Sequence, residues 1–217
     1  MCSLEVGRLA DLDAVTFDAN GTLLGLIDPT PKLGRLLRHR GVDRPPEAIR
    51  RALAAEGAVY AARSAEAHEP VAFAALQREC TEVFLDEVGA NGLDPDDFTA
   101  LYVGAMEFEV LADVRESLRR LQRCGLALGV VANFDLTLNV RLHEHGLAHF
   151  FTAVVTPADA DAVKPDPRIF YVALERLGVA PKRALHIGDG AVDEEGAGAA
   201  GMKFAWAPIP RALEGWA

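Results

Sequence analysis

The sequence predicts an α/β protein with a doubly wound, Rossmann-like parallel-sheet core and an inserted all-helical cap. Short apolar runs rich in Val, Leu and Ile recur along the chain, which is typical of strands buried on both faces of a parallel sheet. After residue 110 these runs alternate with helical segments, whereas residues 26–109 carry helical patterns and no convincing strand run. We therefore assign residues 1–25 and 110–217 to the core domain and residues 26–109 to the cap.

Five apolar runs are predicted to form the sheet. They are Ala14–Phe17, Leu126–Val131, Ala153–Val155, Ala184–Ile187 and Lys203–Trp206. Within the last of them, Phe204 and Trp206 are expected to be core residues. A doubly wound sheet binds its ligand at the carboxyl ends of the strands. The residues that directly follow these strands are therefore the first candidates for a functional site.

Capping and turn residues set the limits of the predicted core helices. Asp113 is placed to cap a helix that stops at Gly125. Asp166 is placed as the N-cap of a second helix, which has Pro167 at its first position and ends at Gly178. These limits place both helices between predicted strands.

The cap is expected to contain several helices joined by proline-marked turns. Helical patterns cover residues 48–67 and 70–89. The turns are marked by Pro45-Pro46, Pro70 and Asp94-Pro95.

Composition and charge exclude some classes of protein. The 217 residues hold 22 Lys and Arg against 32 Asp and Glu, so the net charge of -10 disfavours nucleic acid and anionic membranes as partners. No run approaches the roughly 20 apolar residues of a membrane span, and the first residues do not resemble a signal peptide, so we expect a cytoplasmic protein. The three cysteines, Cys2, Cys80 and Cys124, are widely spaced and are expected to be free thiols.

Three aspartates fall where parallel strands end. Asp18 closes the first predicted strand, Asp189 closes the fourth, and Asp193 lies four residues later. Carboxylates that meet at one sheet edge would repel each other unless a cation lies among them, and their hard oxygen atoms suit Mg²⁺. Lys164 in the segment "AVKPDP" adds a positive charge suited to a phosphate or a carboxylate. Taken singly, a strand-terminal Asp is commonly a turn residue and "KPDP" is commonly a helix start.

The order of four segments adds to this interpretation. "FDANGTLL", "VVANFD", "VKPDPRIF" and "HIGDGAVDEEGAGAAGM" occur in this order and together resemble the four motifs of the haloacid dehalogenase-like (HAD) hydrolase superfamily. The resemblance runs from residue 15 to about residue 206. It implies a helical cap directly after the first motif, which agrees with the texture of residues 26–109.

The resemblance also implies roles for individual residues. Asp18 would be the nucleophile that takes up a phosphoryl group, and Lys164 would be its charge partner. The magnesium side would be formed by Asp18, Asp189, Asp193 and the backbone carbonyl of Asn20. The substrate-binding positions would be Thr22, Ala132 and Asn133.

Two of these positions depart from the family pattern. Asn20 stands where the family has the aspartate that serves as general acid and base, and an amide neither gives nor takes a proton at neutral pH. Ala132 stands where the family has the Ser or Thr that binds the phosphate. Backbone N–H groups of Ala132 and Asn133, together with the Asn133 amide, are expected to replace part of that contact.

Other signals favour competing interpretations less strongly. The run Gly196 to Gly201 matches GxGxxG, but it does not follow a strand directly and is expected to lie in a helix. His186 is expected to be a core residue or one that supports the site. His68 in the cap is a candidate replacement for the missing acid, and Arg63 in the cap is a candidate substrate contact. Residues of both types at such positions are more commonly solvated.

The sequence therefore favours a Mg²⁺-dependent phosphatase that acts on a small phosphorylated metabolite through an aspartyl-phosphate, with turnover weakened by Asn20. One alternative is a degenerate member that binds a phosphorylated ligand or a protein partner without catalysis. A second is a haloacid dehalogenase, whose nucleophilic aspartate attacks carbon and which needs no metal, although "GDGAVD" retains the acidic pair of the metal-dependent enzymes.

Overall fold

A computed structural model describes residues 8–67, 69–214 and 216. Cys2 and His68 lie outside these residues. The chain divides into two compact units: the described residues of Met1–Gly25 and Glu109–Ala217 form an α/β unit, and those of Leu26–Phe108 form a helical unit. No helix in the described part of the chain is both long and apolar enough to span a bilayer.

The described residues form seven strands and ten α-helices. The strands are β1 (Ala14–Phe17), β2 (Leu24–Leu26), β3 (Phe108–Val110), β4 (Ala127–Val131), β5 (Ala153–Val155), β6 (Ala184–Gly188) and β7 (Lys203–Trp206). The helices are α1 (Thr30–His39), α2 (Pro46–Arg63), α3 (Pro70–Glu87), α4 (Pro95–Val103), α5 (Val114–Arg123), α6 (Leu138–Glu144), α7 (Pro157–Ala160), α8 (Arg168–Leu177), α9 (Ala191–Ala199) and α10 (Ile209–Glu214).

The α/β unit is built on a parallel five-stranded sheet in the order β5-β4-β1-β6-β7. All five predicted strands are confirmed, with β4 beginning and β6 ending one residue later than expected. Phe17 on β1 pairs with Val130 on one side and with Ile187 on the other. The carboxyl ends of the three central strands therefore lie at the same level.

Burial explains why the central strands could be recognised from the sequence. All four residues of β1 and all five of β6 are buried, as expected for strands covered on both faces. The last strand differs, because Phe204 is partly buried whereas Trp206 is 47% exposed. The prediction that Trp206 is a core residue is wrong: β7 is an edge strand, and its end is covered less completely.

The predicted helix starts are close but not identical to those observed. Asp113 does precede α5, but its backbone is left-handed (φ 61°) and its side chain makes no capping hydrogen bond. A capping side chain ordinarily needs an extended backbone at this position, so the predicted mechanism is wrong there. Asp166 lies one residue before the N-cap of α8, and its carboxylate accepts the Arg168 N–H at 2.9 Å.

The helical unit has its own apolar core. Helices α2 and α3 have 18 residues each, and prolines at the first positions of α2, α3 and α4 confirm the predicted turns. Large side chains such as Leu33, Phe84 and Phe98 are fully buried between the helices. The short strands β2 and β3, which pair where the chain passes between the units, were not predicted, because three residues are too few to show a period.

A partly buried carboxyl group, that of Glu56, lies in the helical unit. Burial raises the pKa of Glu56 on α2, and the neighbouring Cys80 thiol and Tyr102 hydroxyl offset only part of that effect. The Tyr102 hydroxyl is buried and forms no aligned hydrogen bond with the described residues, so its contact with Glu56 is a weak one. The ionised form of this carboxyl group therefore opposes folding of the unit.

We expect Glu56→Gln to raise the free energy of unfolding at neutral pH, as measured by urea denaturation. The folded state holds the Glu56 proton more tightly than the unfolded state. The free energy of unfolding of the wild type therefore falls as pH rises from the ordinary pKa of 4.5 through the raised pKa of the folded state. The advantage of the variant should therefore grow with pH over that window and then become constant. Glu87→Gln, at an exposed position on α3, is the control. Equal effects of both substitutions at every pH would contradict the account.

Candidate active site

Three carboxylates meet at the carboxyl edge of the sheet. Asp18 follows β1, Asp189 follows β6, and Asp193 lies in the first turn of α9. One oxygen atom of each carboxylate lies within 4.8 Å of the others. The structure thus brings together the three acids that the sequence singled out.

Two glycines make this approach possible. Gly21 has a left-handed backbone (φ 85°), and a Cβ atom at this position would overlap the Asp189 carboxylate. A Cβ atom at Gly188 would overlap the Asp193 carboxylate in the same way. The backbone can therefore lie directly against both acids only because these positions lack side chains.

A single buried cation lies between two of the acids. Lys164 is 4% exposed, and its Nζ donates to Asp18 Oδ1 at 2.5 Å and to Asp193 Oδ1 at 2.6 Å. With all groups ionised, three carboxylates face one ammonium, which leaves this cluster with a net charge of -2. The cluster is therefore short of positive charge.

The pKa values reflect this shortage. Burial raises the pKa of Asp18, and the Asp193 charge raises it further, against the opposing charge of Lys164. Burial and the Asp193 charge also raise the pKa of Asp189. Burial acts on Asp193 in the same direction, but the hydrogen bond with His186 and the Lys164 charge outweigh it and hold the Asp193 pKa at about 2.

The donor set fits a divalent cation. Two acids with raised pKa values, Asp18 and Asp189, lie in a cluster with excess negative charge, and carboxylate oxygens are the ligands that Mg²⁺ prefers. Asp193 is less suited to direct coordination, because Lys164 and His186 both engage its Oδ1 and the Gly190 N–H donates to its Oδ2 at 3.0 Å. Asp193 holds Lys164 in the structure, and its role as a metal ligand stays a prediction.

A buried histidine supports Asp193 from behind. His186 Nε2 lies 3.1 Å from Asp193 Oδ1, and its Nδ1 lies 2.9 Å from Thr16 Oγ1. Burial lowers the pKa of His186, so its ring is neutral. Since a carboxylate only accepts, Nε2 carries the proton, and Nδ1 accepts from the Thr16 hydroxyl. The expectation that His186 is a core or supporting residue is confirmed.

Thr16 was not recognised from the sequence. It pairs with His186 in register across β1 and β6, and both side chains are fully buried. The available signal was a polar residue at the third position of each of two otherwise apolar strands, "AVTF" and "ALHIG". That signal becomes useful only when the two strands are known to be neighbours.

Asn133 contacts the backbone of Lys164. Its Nδ2 donates to the Lys164 carbonyl at 3.0 Å, and its Oδ1 accepts the Lys164 N–H at 2.8 Å. Both polar atoms of the amide are thus used to hold the lysine backbone. The contact expected between this amide and the substrate phosphate stays a prediction, because Nδ2 has a second N–H that these bonds do not use.

The N–H groups expected to replace a phosphate-binding hydroxyl are only partly available. Ala132 is buried, and its N–H donates to the Val155 carbonyl at 3.1 Å, which continues the pairing of β4 with β5. The Asn133 N–H has no hydrogen-bond partner among residues 8–67, 69–214 and 216, so it remains a candidate donor. The contribution predicted for the Ala132 N–H is wrong, because the sheet already uses that donor.

The loop after β1 has a fixed backbone. The N–H groups of Leu23 and Leu24 both donate to the Ala19 carbonyl, at 2.9 and 2.8 Å. Asn20 is exposed in this turn, next to Gly21. Thr22 is buried, and its hydroxyl makes no hydrogen bond within the described part of the chain, so it lacks the partner that a bound ligand or water would supply.

The sequence singled out two candidate residues in the cap segment, Arg63 and His68. Arg63 forms ion pairs with Glu79 and Glu66 inside the helical unit, so its charge is already offset there. The candidate replacement for the missing acid, His68, is not among the described residues.

Comparisons with known proteins agree on one family. Residues 12–201 match the family described as haloacid dehalogenase-like hydrolase. The chain is 42% identical over 88 residues to haloacid dehalogenase-like hydrolase domain-containing protein 3 of Danio rerio, which covers 41% of this chain and 36% of that protein. It is 40% identical over 91 residues to phosphoserine phosphatase of Thermus thermophilus, again 41% of this chain and 36% of the relative.

A solved structure extends the likeness over most of the fold. The HAD phosphatase from Thermococcus onnurineus is 25% identical and superposes with a TM-score of 0.57, covering 91% of this chain and 86% of its own. The sequence alignments with the two relatives above each span little more than a third of those proteins.

We expect Lys164→Met to lower the free energy of unfolding by about 3–5 kcal/mol, because it leaves two buried carboxylates without their cation. Urea denaturation would measure the loss. Lys182→Met is the matched control, since that lysine is exposed and should change stability by less than about 0.5 kcal/mol. Adding Asp18→Asn to Lys164→Met should recover part of the loss. If both lysine substitutions cost the same, the ion pairs contribute little to folding.

Proposed function

The chain belongs to the haloacid dehalogenase-like hydrolase family, and on that premise we propose that it is a Mg²⁺-dependent phosphatase that acts on a small phosphorylated metabolite through an aspartyl-phosphate. The observation that carries the proposal is the Asp18 carboxylate at the end of β1, held by Lys164 at 2.5 Å and close to two further acids. The name of the Thermus thermophilus relative, a phosphoserine phosphatase, supports a small phosphorylated substrate.

Asp18 has the environment of a nucleophile. Its Oδ1 accepts from Lys164, whereas its Oδ2 has no hydrogen-bond partner among the described residues and is available to attack. In the first step, an oxygen of Asp18 forms a bond to phosphorus and the bond from phosphorus to the leaving oxygen breaks. In the second step, water attacks phosphorus, the aspartyl oxygen leaves, and inorganic phosphate is released with the carboxylate restored.

Lys164 and the metal ligands would supply the positive charge for both steps. Lys164 fixes Asp18 and offsets charge at the nucleophile, while His186 and Asn133 hold its partner and its backbone in place. Asp18, Asp189 and the Asn20 carbonyl would hold Mg²⁺, which supplies charge stabilisation to the phosphoryl oxygens when bound. The Asn133 N–H is the backbone donor still free to contact the phosphate.

Proton transfer is the weak part of this proposed mechanism. Asn20 cannot protonate the leaving oxygen or activate the attacking water, and such a group ordinarily contributes about 10²- to 10⁴-fold in rate. We therefore propose slow turnover. The rate of the first step should be reduced least for substrates whose leaving group needs no proton. The same substitution, together with Ala132, favours a second candidate function: a member that binds a phosphorylated ligand without turnover.

Asn20→Asp is expected to raise the rate of p-nitrophenyl phosphate hydrolysis at least about tenfold, because it restores a general acid and base. Wild type should hydrolyse acetyl phosphate faster than p-nitrophenyl phosphate, and both activities should require added Mg²⁺. Asp18→Asn should abolish hydrolysis in either background.

The controls separate the candidates. An inert wild type and an inert Asn20→Asp variant that still bind inorganic phosphate would favour the binding function. Halide release from 2-chloropropionate without metal would instead favour a dehalogenase and contradict the phosphatase proposal.

Asn133→Ala tests the positioning of Lys164. We expect kcat in the Asn20→Asp background to fall about tenfold or more with a smaller change in KM, because the lysine backbone loses both hydrogen bonds that hold it. Asn139→Ala, at an exposed position on α6, should change neither value. A raised KM with unchanged kcat would return the amide to the substrate-binding role that the sequence suggested.

A further inference from the structure

The helical unit contains a pocket that is lined by arginines. Its volume is about 350 Å³, and its lining includes Arg35 and Arg38 from α1, Arg44 from the following linker and Arg50 from α2. Asp28 is the one acidic residue among the lining residues of this pocket. The size lies within the range of sites that bind small molecules.

Most of the residues that line the pocket belong to a strongly basic segment of the chain, residues 32–51. Residues 32–51 hold seven Lys and Arg (Lys32, Arg35, Arg38, Arg40, Arg44, Arg50 and Arg51) against two acids (Asp43 and Glu47). The local charge is thus +5 in a chain whose net charge is -10. A local field of this sign attracts anions even though the whole protein repels them.

Three of the four arginines that line the pocket, Arg35, Arg38 and Arg44, form no ion pair with the described residues. The Arg44 guanidinium donates to the carbonyls of Val88, Asp43 and Gly89, which orient it without neutralising it. Arg50 forms an ion pair with Glu47 at 3.0 Å, and its charge adds to the hydrogen bonds of Thr30 that lower the pKa of Asp28. The hydrogen bond and charge of Lys32 lower the pKa of Glu107, and the more distant charge of Arg35 adds to this effect.

The backbone of α1 places two of these arginines beside the same pocket. Arg35 and Arg38 are three residues apart and so lie on neighbouring positions of the α1 surface. Gly34 is buried between them and α2, and a Cβ there would lie 3.3 Å from Ile49 Cδ1 and 3.6 Å from Arg38 Nη1. The absence of a side chain at Gly34 keeps the wall of the pocket open beside the Arg38 guanidinium.

We propose that this pocket binds a small polyanion through phosphate or carboxylate oxygens. Guanidinium groups present paired N–H donors that match either anionic group, and a fixed Arg44 beside two unpaired arginines provides three such groups around one cavity. The excess of arginines over the single lining carboxylate requires more than one negative charge on the ligand for neutrality. The proposal does not depend on the phosphatase activity proposed above.

Isothermal titration calorimetry in metal-free, low-salt buffer tests the proposal with two probes. Methylenediphosphonate, which a phosphatase cannot hydrolyse, represents the phosphate class, and citrate represents the carboxylate class. We expect wild type to bind at least one probe at a single site, and the ratio of the two affinities tells which anionic group the pocket prefers. The double variant Arg35→Gln/Arg38→Gln should weaken that binding by about 10- to 100-fold, because it removes two charged donors.

The matched control is Arg40→Gln/Arg51→Gln, which removes the same charge from exposed positions of the same segment that do not line the pocket. It should change affinity by less than about twofold, since only screened long-range attraction is lost. Unfolding midpoints of both double variants confirm that they fold. Absence of binding by both probes, or equal weakening in both double variants, overturns the proposal. Binding of a polyglutamate peptide without binding of either probe would also overturn it, in favour of an acidic protein partner.

Discussion

The α/β site depends on the placement of one buried ammonium group. Lys164 is almost inaccessible to water, and a charge in that position is tolerated only because Asp18 and Asp193 both accept hydrogen bonds from it. The surrounding residues serve the same end. Asn133 fixes the lysine backbone from the end of β4, and His186 fixes Asp193 from within β6. Three separate strand regions are thus committed to one charge.

The parallel sheet is what makes this convergence possible. Asp18 directly follows β1, and His186 lies in the neighbouring strand β6 in register with Thr16, although the two strands are far apart in sequence. The general location of the site could therefore be predicted, because apolar runs reveal buried strands and an acid at the end of each run marks the ligand edge. The contacts among the polar residues could not, since the bond between Thr16 and His186 joins residues 170 positions apart.

Hydrogen bonds and ion pairs were hardest to predict where a residue had more than one possible partner. The Asn133 amide has a partner that the sequence did not indicate, because the Lys164 backbone offers it both a donor and an acceptor. The Ala132 N–H was assigned to a ligand, but the sheet continues far enough to use it. Arg63 has Glu66 three residues away and also pairs with Glu79, which is 16 residues away and brought close by the packing of α2 and α3. Side-chain type limits the possible bonds, and only the fold selects among them.

The site contains one buried ammonium group and three carboxylates, whereas Asn20 has no group that could transfer a proton. In the proposed phosphatase, Asp18, Lys164 and Asp189 would hold a phosphoryl group together with Mg²⁺, while Asn20 supplies no ionisable group. Under the proposed function the two steps are then affected unequally. Attack by Asp18 needs no base, because a carboxylate is already ionised, and only the leaving group lacks its proton. Hydrolysis of the aspartyl-phosphate needs a water to lose its proton, so the second step is slowed for every substrate, whatever its leaving group. The chemistry of Asn20 thus favours capture of a phosphoryl group over its release.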